Sequence, residues 1–275
     1  MEGYRVKNIV IVILLIINGF LLVLVGTRRS EALRYEQAAL DGSIQVLAEN
    51  GITLRPEDIL SRTGHQVHTV QRDLAEENRL ASTVLGEQVE GVSRGGGLYT
   101  YSSEAGQISF RAGGELSSQL AKTSHWKAAD PESHAETLMA ALGIEYRRVE
   151  FNLLGGQGTI VYQQLLEGVP LFTCRITLTY SDGYLTALAG NLMAAGDLSG
   201  ENSEILSLPT VLMHFLHDVL DSGDVCSAVL AVESGYLQSQ SFTGTISLQP
   251  VWFISTNTTD YYVNGVTGDV SRVVN

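Results

Sequence analysis

Lysine is close to absent from most of this chain. Beyond residue 30 only Lys122 and Lys127 remain, and thirteen basic residues there face twenty-nine acidic ones. A stretch so acidic is repelled by nucleic acid and by anionic membrane surfaces, so no nucleic-acid partner is expected. Cysteine is equally scarce. Cys174 and Cys226 are the whole complement, too few for a disulfide framework. Cys174 lies in an alternating apolar run and is expected to be a small buried residue rather than half of a bridge. No H-E-x-x-H helix or Cys–His signature appears. Gly95-Gly96-Gly97 lacks the Gly-Lys-Ser/Thr continuation of a phosphate loop and reads as a turn. The expectation is a protein without enzymatic activity, cofactor or metal.

Apolar residues, by contrast, are concentrated in one place. Residues 9–25 read IVIVILLIINGFLLVLV, with no charge and only Asn18 and Gly19 as interruptions. A bilayer core takes about 20 such residues, with about 17 at the short end. A cleaved signal peptide would need a shorter apolar region and small residues before the cut, and Leu24-Val25-Gly26 matches that poorly. A transmembrane anchor is therefore predicted. Arg5 and Lys7 before it, and Arg28, Arg29 and Arg34 after it, leave the positive-inside rule near a draw. The acidity of the long remainder then favours a cytoplasmic N-terminus and an extracellular C-terminal domain.

The sequence divides by pattern into four stretches. Residues 1–29 form the stub and anchor. Residues 30–51 suit a juxtamembrane helix stopped at Asn50-Gly51. Residues 52–125 mix short β-like runs (Val67 to Leu74, Leu98 to Tyr101, Gln107 to Arg111) with glycine turns. Residues 126–275 are more regular. Asp130-Pro131-Glu132 opens a helix with a capping Asp and Pro in the first turn. Strands follow at Tyr146–Leu154, Thr159–Leu166, Leu171–Tyr180 and Tyr184–Met193, the last two joined through Asp182-Gly183, a strong hairpin signal. A second helix, Thr210 to Leu220, precedes strands at Cys226–Leu237, Thr245–Thr256 and Asp260–Asn264. The expected fold class is α+β: an N-terminal transmembrane helix followed by two or three helix-plus-antiparallel-meander units.

Candidate chemistry is thin. His214 and His217 stand three apart on a predicted helix, a spacing that can hold metal but is more often a solvated or core pair. His65 and His68 are expected on opposite faces of a strand start. Glu76-Glu77 and Asp218, Asp221 and Asp224 are acid pairs only by proximity, and acids at such positions usually form solvated faces. Trp126, Trp252, Tyr261 and Tyr262 can line a groove or pack across strands, with packing preferred. In the apolar run, Asn18 seeks a partner for its amide while Gly19 allows close approach, so both are candidate contacts to a partner helix.

Leu166-Glu167-Gly168-Val169-Pro170-Leu171, the hairpin Ser181-Asp182-Gly183, and the stretch from Gln249-Pro250 to Thr267-Gly268-Asp269-Val270 resemble PepSY-type domains over roughly residues 130–275. Together with the apolar run and the helix ending at Asn50-Gly51-Ile52, the layout resembles the YycI-type family, related to YycH, of low-GC Gram-positive bacteria. That resemblance implies a non-enzymatic, membrane-anchored regulator of a WalK-like two-component sensor histidine kinase. It would act through its transmembrane helix and outer domain, with a YycH-like regulator as a further partner. The alternative is an envelope ligand-binding or protease-inhibiting PepSY-like module.

Overall fold

The first element of the computed structural model is one continuous helix, α1 (Glu2–Glu49), about 72 Å long at 1.5 Å per residue. The structure describes residues 2–123, 126–201, 203–240 and 245–273. Within these, the side chains of 2–13, 15–16, 23, 25–26, 28–30, 32–33, 195–197, 201 and 240 are left aside. Helix α1 ends as its sequence demands. Gly51 takes a left-handed φ of 81°, Ile52 N–H donates to the Leu47 carbonyl at 2.9 Å and Gly51 N–H to that of Ala48 at 3.0 Å. This is a Schellman cap, and its usual hydrophobic pair, Leu47 with Ile52, is buried in the core.

Three more helices follow: α2 (Leu74–Leu85), α3 (Pro131–Ala141) and α4 (Leu208–Ser222). Asp73 caps α2 through the amides of Ala75 and Glu76, and Asp130 caps α3 through that of Glu132. The strands are β1 (Thr53–Leu54), β2 (Val67–Arg72), β3 (Val92–Gly95), β4 (Leu98–Ser103), β5 (Gly106–Phe110), β6 (Glu115–Leu120), β7 (Tyr146–Leu154), β8 (Gln157–Leu166), β9 (Val169–Ser181) and β10 (Tyr184–Asn191). The remainder are β11 (Ala195–Glu201), β12 (Ala228–Gln240), β13 (Thr245–Thr256), β14 (Tyr261–Asn264) and β15 (Val270–Arg272).

These strands overturn the expected fold class. The fifteen among the described residues join one mostly β network, ordered β11-β2-β13-β12-β9-β10-β6-β5-β4-β3 along its main path. They are not separate helix-plus-meander units. Strand β6 pairs with β10, and β2 lies between β11 and β13, so early and late stretches interleave. The physical reason is edge pairing: an isolated meander leaves two rows of unpaired backbone groups, and here the edges of one stretch are taken up by strands of another. The two halves meet where the start of β9 runs parallel to β12, Leu171 opposite Tyr236.

The predicted transmembrane helix is corrected as well. Among the described residues no helix is long and apolar enough to cross a membrane. Helix α1 does not stop where the apolar run stops, but carries on through polar residues to Glu49. Arg5, Lys7, Arg28, Arg29 and much of the run 9–25 have side chains outside the described set.

Two main cores result. Helices α2 and α3 cover β4–β6 and β8–β10, burying Leu80, Val84, Leu138, Met139, Ile160, Tyr162 and Leu188. Helix α4 and the last turns of α1 cover β12–β14, burying Leu40, Leu47, Phe215, Val232, Trp252 and Tyr261. At about 25 cal/mol per Å² of apolar surface, these two layers dominate the favourable side of folding. A smaller cluster of Val70, Leu171, Cys174, Tyr236 and Leu248 seals the junction between them.

Candidate binding cleft

At that junction a cleft of about 430 Å³ opens. Its floor is β12, whose flank is covered unevenly. Thr53 and Leu54 of β1 pair with Ala228 and Val229, and Ile59 bridges Val232 while Leu60 N–H donates to the Val232 carbonyl at 2.8 Å. The flank is next taken by β9 at Tyr236. Between these lie Glu233, Ser234 and Gly235. Ser234 is only 2% exposed, so it closes the floor.

One wall is a strap, residues 60–65. Ser234 Oγ donates to the Thr63 carbonyl at 2.8 Å and lies 3.0 Å from His65 Nε2. A hydroxyl has one proton and a carbonyl only accepts, so the proton belongs to the Thr63 bond and His65 Nε2–H donates to Ser234. Arg62 ties the strap to α1, its Nη1 donating to Gln37 Oε1 at 2.9 Å. The opposite wall is the two-residue turn between β8 and β9. Glu167 and Gly168 take φ of 51° and 80°, the pair of left-handed conformations of a type I′ hairpin turn. Gly168 N–H donates to Glu145 Oε2 at 3.0 Å. Between the walls, Glu233 accepts both arms of Arg147 at 2.6 and 2.8 Å, and Arg147 Nε donates to Gln163 Oε1.

The electrostatics follow from this packing. Burial, and secondarily the neighbouring His68, lowers the His65 pKa, which favours the neutral ring. Burial, with the Glu167 charge adding to it, pushes the Tyr236 hydroxyl up to about 12. Ser234 and His65 superficially resemble a nucleophile and its base. The proton directions argue otherwise: the imidazole donates to the serine instead of accepting from it, the reverse of what activation requires.

The sequence candidates are mostly dispersed. His65 and His68 both meet the Tyr236 ring, at centroid distances of 5.4 and 5.8 Å, so the opposite-face expectation fails. It fails because His65 precedes β2, so strand alternation does not set its direction. His214 lies under the turn at Gly268, while His217 reaches Asp221 in solvent. Glu76 pairs with Arg79 on the surface and Glu77 with Arg72 in the interior. Asp224 binds Tyr261 Oη and Arg272. Among the described residues no group of three or more His, Cys, Asp or Glu is placed to hold a metal. Trp126, Trp252 and Tyr261 are core residues; Tyr262 packs with Phe172 and Phe253. Cys174 and Cys226 are free thiols. Burial pushes Cys174 up to about 12, and its Sγ donates to Gln238 Oε1.

Asn18 is exposed on α1 and its Nδ2 donates to the Leu14 carbonyl at 2.8 Å. Beside it, a Cβ on Gly19 would meet nothing within 4 Å. Two catalytic-looking spacings also occur. Gly91-Val92-Ser93-Arg94-Gly95 matches G-x-S-x-G, but Ser93 pairs with Tyr99 in the exposed β3–β4 hairpin, whereas a nucleophile elbow needs a strand-to-helix turn. In Ser124-His125-Trp126-Lys127, an S-x-x-K spacing, Ser124 and His125 lie outside the described residues.

No family model matches the chain, and no curated protein matches it. Among solved structures, it is similar to an uncharacterized protein from Eubacterium rectale ATCC 33656, with 12% identity and a TM-score of 0.45 over 77% of this chain and 81% of that one. It is also similar to the C-terminal domain of Bacillus megaterium YpeB, with 12% identity and a TM-score of 0.39 over 75% of this chain and all of that one.

Proposed function

We propose that this chain is a non-enzymatic regulator at the outer face of the cell membrane, related to PepSY-type domains, that acts on a sensor histidine kinase of the WalK type by docking to it. The observation that carries the proposal is the exposure of apolar side chains on the free part of α1. Leu14, Ile17, Phe20, Leu21, Leu22 and Leu24 are all exposed there, while α1 joins the core only from Leu40 onward. A helix apolar on all sides calls for an apolar partner. Asn18 and Gly19 sit within this surface, and the amide retains hydrogen-bonding capacity beyond its bond to Leu14. The non-enzymatic part is supported by how the polar side chains are used: Ser234, Glu77, Glu233 and Asp224 are each bound into contacts within the fold.

Photocrosslinking from position 18 in cells of a low-GC Gram-positive host tests the reading. It is expected to recover a sensor kinase, less efficiently with Asn18→Leu in a chain crosslinked from position 22. Recovery of no kinase from either position would reject it.

A further inference from the structure

The cleft carries two opposite charges that do not meet. Arg62 stands on the strap and Glu167 on the facing turn, and neither forms an ion pair among the described residues. Arg62 spends one guanidinium nitrogen on Gln37, which leaves the others for a second acceptor. The remaining charged lining group, Glu233, is already neutralised by Arg147. The cavity is therefore dipolar, positive at the strap and negative at the turn. A volume of about 430 Å³ falls in the usual range of small-molecule sites, about 300–1,000 Å³.

A ligand that satisfies both charges carries a carboxylate at one end and an ammonium at the other. We propose that this cleft binds a short peptide with free ends. Arg62 takes the carboxylate and Glu167 takes the ammonium. Because Arg62 also holds Gln37, an occupant that recruits Arg62 bears directly on α1. The site does not depend on which protein the chain docks to: kinase crosslinking and peptide binding can each fail without the other.

Titration of the full chain with a mixed tripeptide library, followed by amide chemical shifts and calorimetry, tests this. Free-ended members are expected to shift Gly168 and the strap. Acetylating the N-terminus or amidating the C-terminus is expected to weaken binding about tenfold, the equivalent of one charge-assisted contact. Glu167→Gln should remove the penalty for acetylation only, and Arg62→Gln the penalty for amidation only. Both residues are exposed, and a thermal unfolding midpoint near the parent's is expected for each variant, which checks that a loss of binding is not a loss of fold. The proposal is overturned if no library member binds at millimolar concentration, or if binding is indifferent to blocked ends and to both substitutions.

Discussion

Replacing Arg72 with Met should unfold this protein more readily than almost any other single exchange outside the apolar core. Arg72 lies at the end of β2 and grips Glu77 of α2 with two bonds of 2.6 and 2.8 Å. It also donates to the Gly97 carbonyl at 2.6 Å and stacks over the Tyr99 ring at 5.2 Å. It thereby ties the β2 layer to the β3–β5 meander. The side chains are only 13% and 4% exposed, so the usual discount for surface ion pairs does not apply. Removing the guanidinium leaves a buried carboxylate and an orphaned carbonyl, a loss of about 3–5 kcal/mol. With a urea m-value of about 2–3 kcal/mol/M, the midpoint should fall by about 1–2 M. The double variant Arg72→Met with Glu77→Leu removes the stranded charge and should recover most of that loss. A single-variant loss below about 1 kcal/mol, typical of exposed pairs, would refute the reasoning, as would a double variant no more stable than Arg72→Met.

Three further outcomes are expected. Tyr261 donates a hydrogen bond to Asp224, and this, with Arg272 beside it, holds the Asp224 carboxyl below its ordinary range. The resulting stabilisation is present above the ordinary Asp range and lost as pH falls through the depressed folded pKa; acid titrations of Tyr261→Phe should show a shallower loss than the parent. Gly183 sits at φ 76° beside Asp182 at φ 54°, so Gly183→Ala should cost about 1 kcal/mol in chemical denaturation, with its added methyl 3.1 Å from the Ala128 carbonyl. Phe215→Ala, which empties the layer between α4 and Tyr261, should cost about 3–5 kcal/mol; a loss under about 1 kcal/mol would show that this layer collapses to fill the space.

Where local rules and tertiary packing agreed, the elements were legible. The strand predicted at Tyr146–Leu154 is β7, and that at Thr245–Thr256 is β13. Asp130-Pro131 opens α3 and Asn50-Gly51 closes α1 because caps and left-handed glycines are decided by nearest neighbours. The helix α2 was hidden. Its capping Asp73 and the acids Glu76 and Glu77 were available as a start signal, but Val67 to Leu74 read as one strand running past the cap. Strand pairing was not legible at all. Nothing local in β6 specifies β10, or in β2 specifies β13, since period-two alternation fixes which face is buried and not which neighbour completes the ladder. That is why a fold of successive units was expected and an interleaved sheet was found.

The cleft escaped sequence reading for the same reason. Its residues come from the strap, from β12 and from a turn between β8 and β9, with more than a hundred positions between strap and turn and more than sixty between turn and β12. In the sequence, Glu167-Gly168 is simply hairpin punctuation and Arg62 an isolated charge. Only the break in cover along β12, between Leu60 and Leu171, brings them to face one another. A turn that serves only to reverse the chain gains nothing from Glu in a left-handed conformation, where Asn, Asp or Gly fits with less strain. Glu167→Asn therefore separates the two roles of this position. It should hold or raise stability by relieving the backbone while weakening capture of a free ammonium. If it instead lowers stability, the Glu167 side chain is part of the fold and the turn alone explains its presence.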